Sequence, residues 1–106
     1  MINDSNANLL FYRGVLLYFL GNLSEALLDL DKAIEKSEDN IPKHFYIRVM
    51  VHFALESHKL ALNDFSIAIN LNELYTEAYV NRSKVFYILG DKSNAYYDAK
   101  KVTTIK

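Results

Sequence analysis

A chain of 106 residues that is 51% hydrophobic and 24% charged has the size and balance of one soluble domain around a single core. Its formal net charge of −1 creates no long-range field that would gather phosphate backbones, which argues against nucleic acid as a partner. The absence of cysteine excludes disulfides, thiol catalysis and thiolate metal sites, and suits a reducing, cytoplasmic location.

From Met1 to Leu10 there is no basic segment followed by an apolar core, so no secretory leader is expected. The longest apolar run, Val15 to Leu20, falls far short of the ~20 residues a membrane helix needs, so no membrane partner is expected. Only three glycines and one proline are present, which favours helices joined by short polar links.

The first helix is expected over about 8–20, where apolar residues are nearly continuous. Leu10, Gly14, Leu17 and Gly21 form one stripe, and Phe11, Val15 and Tyr18 another. Two apolar faces on one helix imply two separate contacts. Gly21 and Asn22 then break the helix, glycine suiting a left-handed C-terminal position and asparagine an N-cap. The second helix, about 24–36, carries Ala26, Leu27, Leu30, Ala33 and Ile34 on one side and a charged face on the other. Asn40 is expected to cap a third helix over about 41–55, with Pro42 in its first turn. Further helices follow over about 58–71, 74–89 and 92–104, giving three antiparallel hairpins.

These hairpins repeat one layout. Ala26, Ala61 and Ala95 are separated by 35 and then 34 residues, and Asn22, Ser57 and Asp91 fall at the same register as candidate N-caps. A fixed period of this size marks stacked supersecondary units. Arg13, Arg48 and Arg82 recur in register, as do Asp29, Asp64 and Asp98. Each Arg lies eight residues before its turn residue (Gly21, Glu56 or Gly90) and each Asp eight after it, so the two stand at equal height in an antiparallel hairpin. Three Arg–Asp pairs are expected, within hairpins or between neighbours, worth ~0.2–1 kcal/mol each if exposed.

With the three units overlaid, the sequence resembles the tetratricopeptide repeat family along essentially its whole length. The resemblance is carried by Gly14 and Ser83 inside first helices, Gly21 and Gly90 at turns, Ala26, Ala61 and Ala95 at helix crossings, and Ala33 and Ala68 further along. Val49, Glu56 and Val102 depart from it. Small residues belong at the crossings because helices approach to ~8 Å only where side chains are small. The resemblance implies an all-α fold, three helix-turn-helix repeats at about 7–40, 41–75 and 76–106 stacked as a right-handed α-solenoid in one domain.

It further implies a concave, peptide-binding surface lined by the first helix of each hairpin. From the first unit the lining would be Phe11, Tyr12, Val15, Tyr18 and Phe19; from the second, Lys43, Tyr46, Ile47, Met50 and Phe53; from the third, Glu77, Val80, Asn81, Lys84 and Tyr87. This lining is mainly aromatic and aliphatic, which suits an apolar peptide or helix of another protein. A rival is an assembly subunit that self-associates. Helix six, with Tyr96, Tyr97, Ala99, Val102 and Ile105, would stand uncovered, so either a homo-oligomer or a fragment of a longer chain is expected. The family's carboxylate clamp, which grips acidic C-terminal tails of heat-shock chaperones, is matched only by Asn81 and Arg82. Phe11, Val15 and Ile47 stand at its other places.

No catalytic, cofactor or metal site is expected. His44, His52 and His58 are eight and six residues apart, not the three or four that put two imidazoles on one helix face, and read as surface or interface residues. Lys100, Lys101 and Lys106 are more simply a solvated cluster than a nucleic-acid patch.

Overall fold

In the computed structural model residues 6–105 are described; Met1–Ser5, on which the expectation of no secretory leader partly falls, and Lys106 lie outside them. The described chain consists of α1 (Ala7–Phe19), α2 (Leu23–Lys36), α3 (Pro42–Ala54), α4 (His58–Leu71), α5 (Thr76–Ile88) and α6 (Lys92–Thr104). These are the six expected helices, shifted by no more than two residues at any end. The largest shift, the start of α5, has a local cause. Asn72 takes the Leu74 amide on its side chain at 3.1 Å and the Tyr75 amide on its carbonyl at 3.1 Å, a turn that competes with the helix.

Each hairpin closes through the same backbone device. The amides of Gly21 and Asn22 donate to the carbonyls of Tyr18 and Leu17, at 3.0 and 2.9 Å. Glu56 and Ser57, and Gly90 and Asp91, repeat the pattern, with φ of +85°, +59° and +85° at the first residue of each pair. This is a Schellman closure, and it needs a left-handed residue at that place. The expected side-chain caps are mostly absent: only Asp91 accepts from the following helix, at the Asn94 amide. Asn22 and Ser57 hold the N-cap positions without a side-chain bond. Ile41, not Asn40, is the N-cap of α3, and Pro42 supplies the first turn there.

The alanines lie where the helices press together. Ala26, Ala33, Ala61 and Ala68 have no exposed surface. A side chain at Gly14 would bring its Cβ within 2.9 Å of Leu30 Cγ, so α1 and α2 are as close as glycine permits. Two cores result. Leu10, Phe11, Ala26, Leu30 and Ala33 are closed by Val51 of α3, and Val49, Ala61, Phe65 and Ile69 are closed by Ala78 and Val85 of α5. Val49 and Val51 face opposite ways from one helix, which is why the apolar surface of α3 is not confined to a single stripe. The stack measures 49 × 26 × 18 Å, with a radius of gyration of 14.4 Å, larger than the ~13 Å of a rounded domain of this length.

All three Arg–Asp pairs form. Arg13 Nε donates to Asp29, Arg48 Nε to Asp64 and Arg82 Nε to Asp98, each at 2.7 Å, and each Arg makes a second bond to the same carboxylate. The carboxylates are buried, so the exposed-pair figure does not fit them. Truncating Arg48 or Arg82 would strand a buried charge, at a cost of ~3–5 kcal/mol. A third bond runs between hairpins: Arg48 Nη1 donates to Asp31 of α2 at 2.9 Å, and Arg82 Nη1 to Ser66 of α4 at 3.1 Å. Pairing within a hairpin and linkage to the preceding one thus occur together.

Candidate functional site

Among the first helices, α1 touches α3 directly. At the α1 end, Tyr12 is 65% and Phe19 77% exposed, while Val15 and Tyr18 are half-buried. Phe11 is a correction to the sequence reading. It is 5% exposed and its ring stacks on His44 at 4.5 Å, so it belongs to the first core and not to a binding surface. The cause is α3, whose first turn lies over that ring.

In the middle, Lys43 is exposed and Tyr46, Ile47, Met50 and Phe53 are half-buried. The Tyr46 hydroxyl accepts from Asn81 Nδ2 at 2.8 Å, and its ring lies 5.1 Å from that of Tyr75. Burial pushes both phenols up, Tyr75 to about 12. At the α5 end Glu77, Val80, Lys84 and Tyr87 are exposed and Asn81 half-buried. A cavity of about 210 Å³ opens between α3 and α5, lined by Met50, Phe53, Phe65, Asn81, Lys84 and Val85. It gathers four of the expected lining residues: Met50, Phe53, Asn81 and Lys84. Tyr12, Val15 and Phe19 lie apart from it on α1.

Sequence reasoning passed over Leu16 and Leu20, exposed at 62% and 73% on α1. Leu16 lies one repeat before Val51, which is wholly buried. The repeat register carries that signal, since among the described residues no hairpin lies over the α1 position that corresponds to Val51. On α6, Tyr96, Tyr97 and Ala99 are exposed as expected, but Val102 and Ile105 turn back onto the second core.

His44 and His52 are interior, not surface, residues, and burial holds both below the usual imidazole range. For His52 the Asp64 carboxylate, 3.6 Å away, opposes that depression. Among the described residues no cluster of three or more His, Cys, Asp or Glu could hold a metal ion, and no helix is long and apolar enough to cross a membrane.

The geometry defines a class: stacked antiparallel helical hairpins with small residues at the crossings and a continuous row of first helices. Residues 7–40 match the family model of the tetratricopeptide repeat, and the six helices form three such repeats. The chain therefore has the all-helical fold of a three-repeat tetratricopeptide solenoid, and its first hairpin, residues 7–40, matches the repeat's family model. MamA is similar in structure, with a TM-score of 0.91 and 23% identity over 98% of this chain, which spans 60% of the MamA chain. The first tetratricopeptide domain of Spaghetti (RPAP3), bound to the HSP90 peptide SRMEEVD, is similar with a TM-score of 0.87 and 24% identity, over 99% of this chain and 82% of that one. The second domain of the same protein, bound to the same peptide, gives 0.87 and 21%, over 98% and 95%. Among the curated proteins none matches this chain in sequence.

Proposed function

We propose that the chain is a non-catalytic, cytoplasmic adaptor that holds an apolar peptide or helix of another protein along α1, α3 and α5. The observation that carries this reading is the cavity between α3 and α5, where Met50 and Phe53 offer apolar walls and Asn81 and Lys84 a polar edge. Tyr12 and Phe19 extend the apolar surface along α1, and Val80 and Tyr87 extend it along α5. Exposed aromatic side chains of this kind are the usual anchors of protein interfaces.

An acidic tail of the sort bound by RPAP3 is less well served. Asn81 is bonded to Tyr46, and Arg82 to Asp98 and Ser66, so the two clamp-like side chains already have partners. The test is affinity capture followed by crosslink mapping, with the native chain beside a Met50→Glu, Tyr12→Ala variant whose thermal melt is unchanged. An apolar segment crosslinked to α1, α3 and α5, and weakened ~30-fold or more in the variant, is the expected result, since loss of anchor residues costs ≥ 2 kcal/mol. Undiminished capture by the variant, or tight binding of SRMEEVD by the native chain, would overturn the reading.

A further inference from the structure

The two joints of the stack are built alike in their arginines and differently in what flanks them. α3 carries His44, Arg48 and His52, and the equivalent places on α5, 34 residues later, hold Ala78, Arg82 and Phe86. The arginines repeat one set of bonds, Arg48 to Asp64 and Asp31, Arg82 to Asp98 and Ser66. No histidine lies in α5 or α6, and His58 leans on the Phe53 ring of its own hairpin. Titratable rings are thus built into the first joint and replaced by apolar residues in the second.

His44 is 4% exposed in the first turn of α3, under the Phe11 ring of α1. His52 lies one turn beyond Arg48 and is 8% exposed. The Nδ1 atoms of both rings are buried without a hydrogen-bond partner. A neutral imidazole can leave that nitrogen as a bare lone pair. A protonated one carries a hydrogen on each nitrogen, and the Nδ1–H donor would be stranded.

The surrounding charges do not cancel that cost. At His52 the Asp64 carboxylate of α4, 3.6 Å away, and Asp31 of α2 favour a proton and Arg48 opposes it, yet burial prevails and holds the ring below its ordinary range. At His44 burial acts without a charge to oppose it. The charged residue of α1, Arg13, is bonded to Asp29 of α2, while Glu38 and Asp39 before α3, and Lys43 on it, are exposed. The Phe11 face attracts a cation only weakly beside the water the cation would lose. Between the lowered pKa and 6.5 the closed joint binds fewer protons than the open one, so closure is complete above that window and weakens as pH falls through it.

We propose that the joint between the first and second hairpins is an acid-sensitive hinge, at which protonation of His44 and His52 opens the stack while the joint between the second and third hairpins stays closed. Opening parts α1 from α3, so Tyr12 and Phe19 leave the row that continues into the α3–α5 cavity. A partner spanning that row is then released in acid, a consequence that rests on the groove reading above. The opening itself is measured without a partner.

The chain has no cysteine, so one introduced thiol reports one joint. Val51 and Val85 close the first and second cores at equivalent places and are 0% and 1% exposed. Val51→Cys and Val85→Cys chains are labelled with 4,4′-dithiodipyridine at pH 7.5 and 5.0. Each rate is divided by that of the same variant in denaturant at the same pH, which gives the open fraction. At Val51→Cys it should rise ~10-fold or more on acidification, since one unit of pKa depression is a factor of ten in the opening equilibrium. At Val85→Cys it should rise far less. Adding His44→Gln and His52→Gln, in a chain whose thermal melt at pH 7.5 shows it folded, should flatten the response at Val51→Cys. His52→Phe alone, which copies the second joint, should remove part of it. Equal rises at the two cysteines would mean that acid loosens the whole fold, and would overturn the proposal. So would an unchanged open fraction at Val51→Cys, or a full rise in the histidine variants. Failure of the groove reading would leave all these rates as they are.

Discussion

Asp64 is a buried carboxylate with two basic side chains beside it. Its carboxylate, 1% exposed, takes two bonds from Arg48, and His52 stands 3.6 Å away. The pH dependence of the fold follows from His52 and His44, both held below their unfolded value of 6.5 by burial. Between the lowered folded pKa and the unfolded one, the unfolded chain binds more protons, so stability rises with pH. It is fully present above about 6.5 and drains away as pH falls through that value, by ~1.4 kcal/mol for each unit of depression. Thermal melts at pH 7.5 and 5.0 should show the midpoint falling on acidification, and a His44→Gln, His52→Gln variant should show a smaller fall. An unchanged or rising midpoint would contradict the burial argument. The ion pairs were legible in the sequence because equal height about a turn is a matter of counting. The burial of the histidines was not, because spacing along α3 does not reveal that its two sides are covered by different hairpins.

The helical elements are defined more by their ends than by their propensities. Three Schellman closures place one residue each in the left-handed region, and Glu56 does so without the freedom of glycine. A side chain there costs ~1–2 kcal/mol, partly offset because glycine loses more entropy on folding. Glu56→Gly should therefore stabilise the chain by about 0.5–1 kcal/mol and raise its melting temperature by a few degrees. A lower melting temperature would show that the Glu56 side chain contributes more than its backbone costs. The period of 35 and then 34 residues made the hairpins readable, and the alanine register made the crossings readable. The side-chain caps expected at Asn22 and Ser57 do not form because the backbone closure already fixes where the next helix begins, and at Asn40 the cap position falls instead on Ile41, just before Pro42. Phe11 was misplaced for a different reason. Adjacent residues on an apolar helix face different neighbours, and the one lying under His44 is settled only by the stacking angle.

Across the whole molecule, contacts run from each hairpin to the next. In such a stack stability is a sum of unit and joint contributions, with the outer units the first to open. Amide exchange should be slowest in α3 and α4, which are packed on both sides, and faster in α1 and α6. The slowest exchange in α6 would contradict that order. The exposure of Leu16 and Leu20 on one outer hairpin and of Tyr96 on the other was partly legible, since the repeat register marks which positions are covered inside the described stack.

The joints carry a consequence for the linear order of the units. Asp31, Ser66 and Lys100 present an anion, a hydroxyl and a cation at one height, against arginines that are the same throughout. Transposing the second and third hairpins would bring Lys100 face to face with Arg48, and would set Val51 over Ser83 and Ala99, which are smaller than the Val49 and Phe65 that now lie beneath α5. The succession of modules is thus written at their boundaries, and a chain reshuffled by recombination would keep its folds but lose its fit.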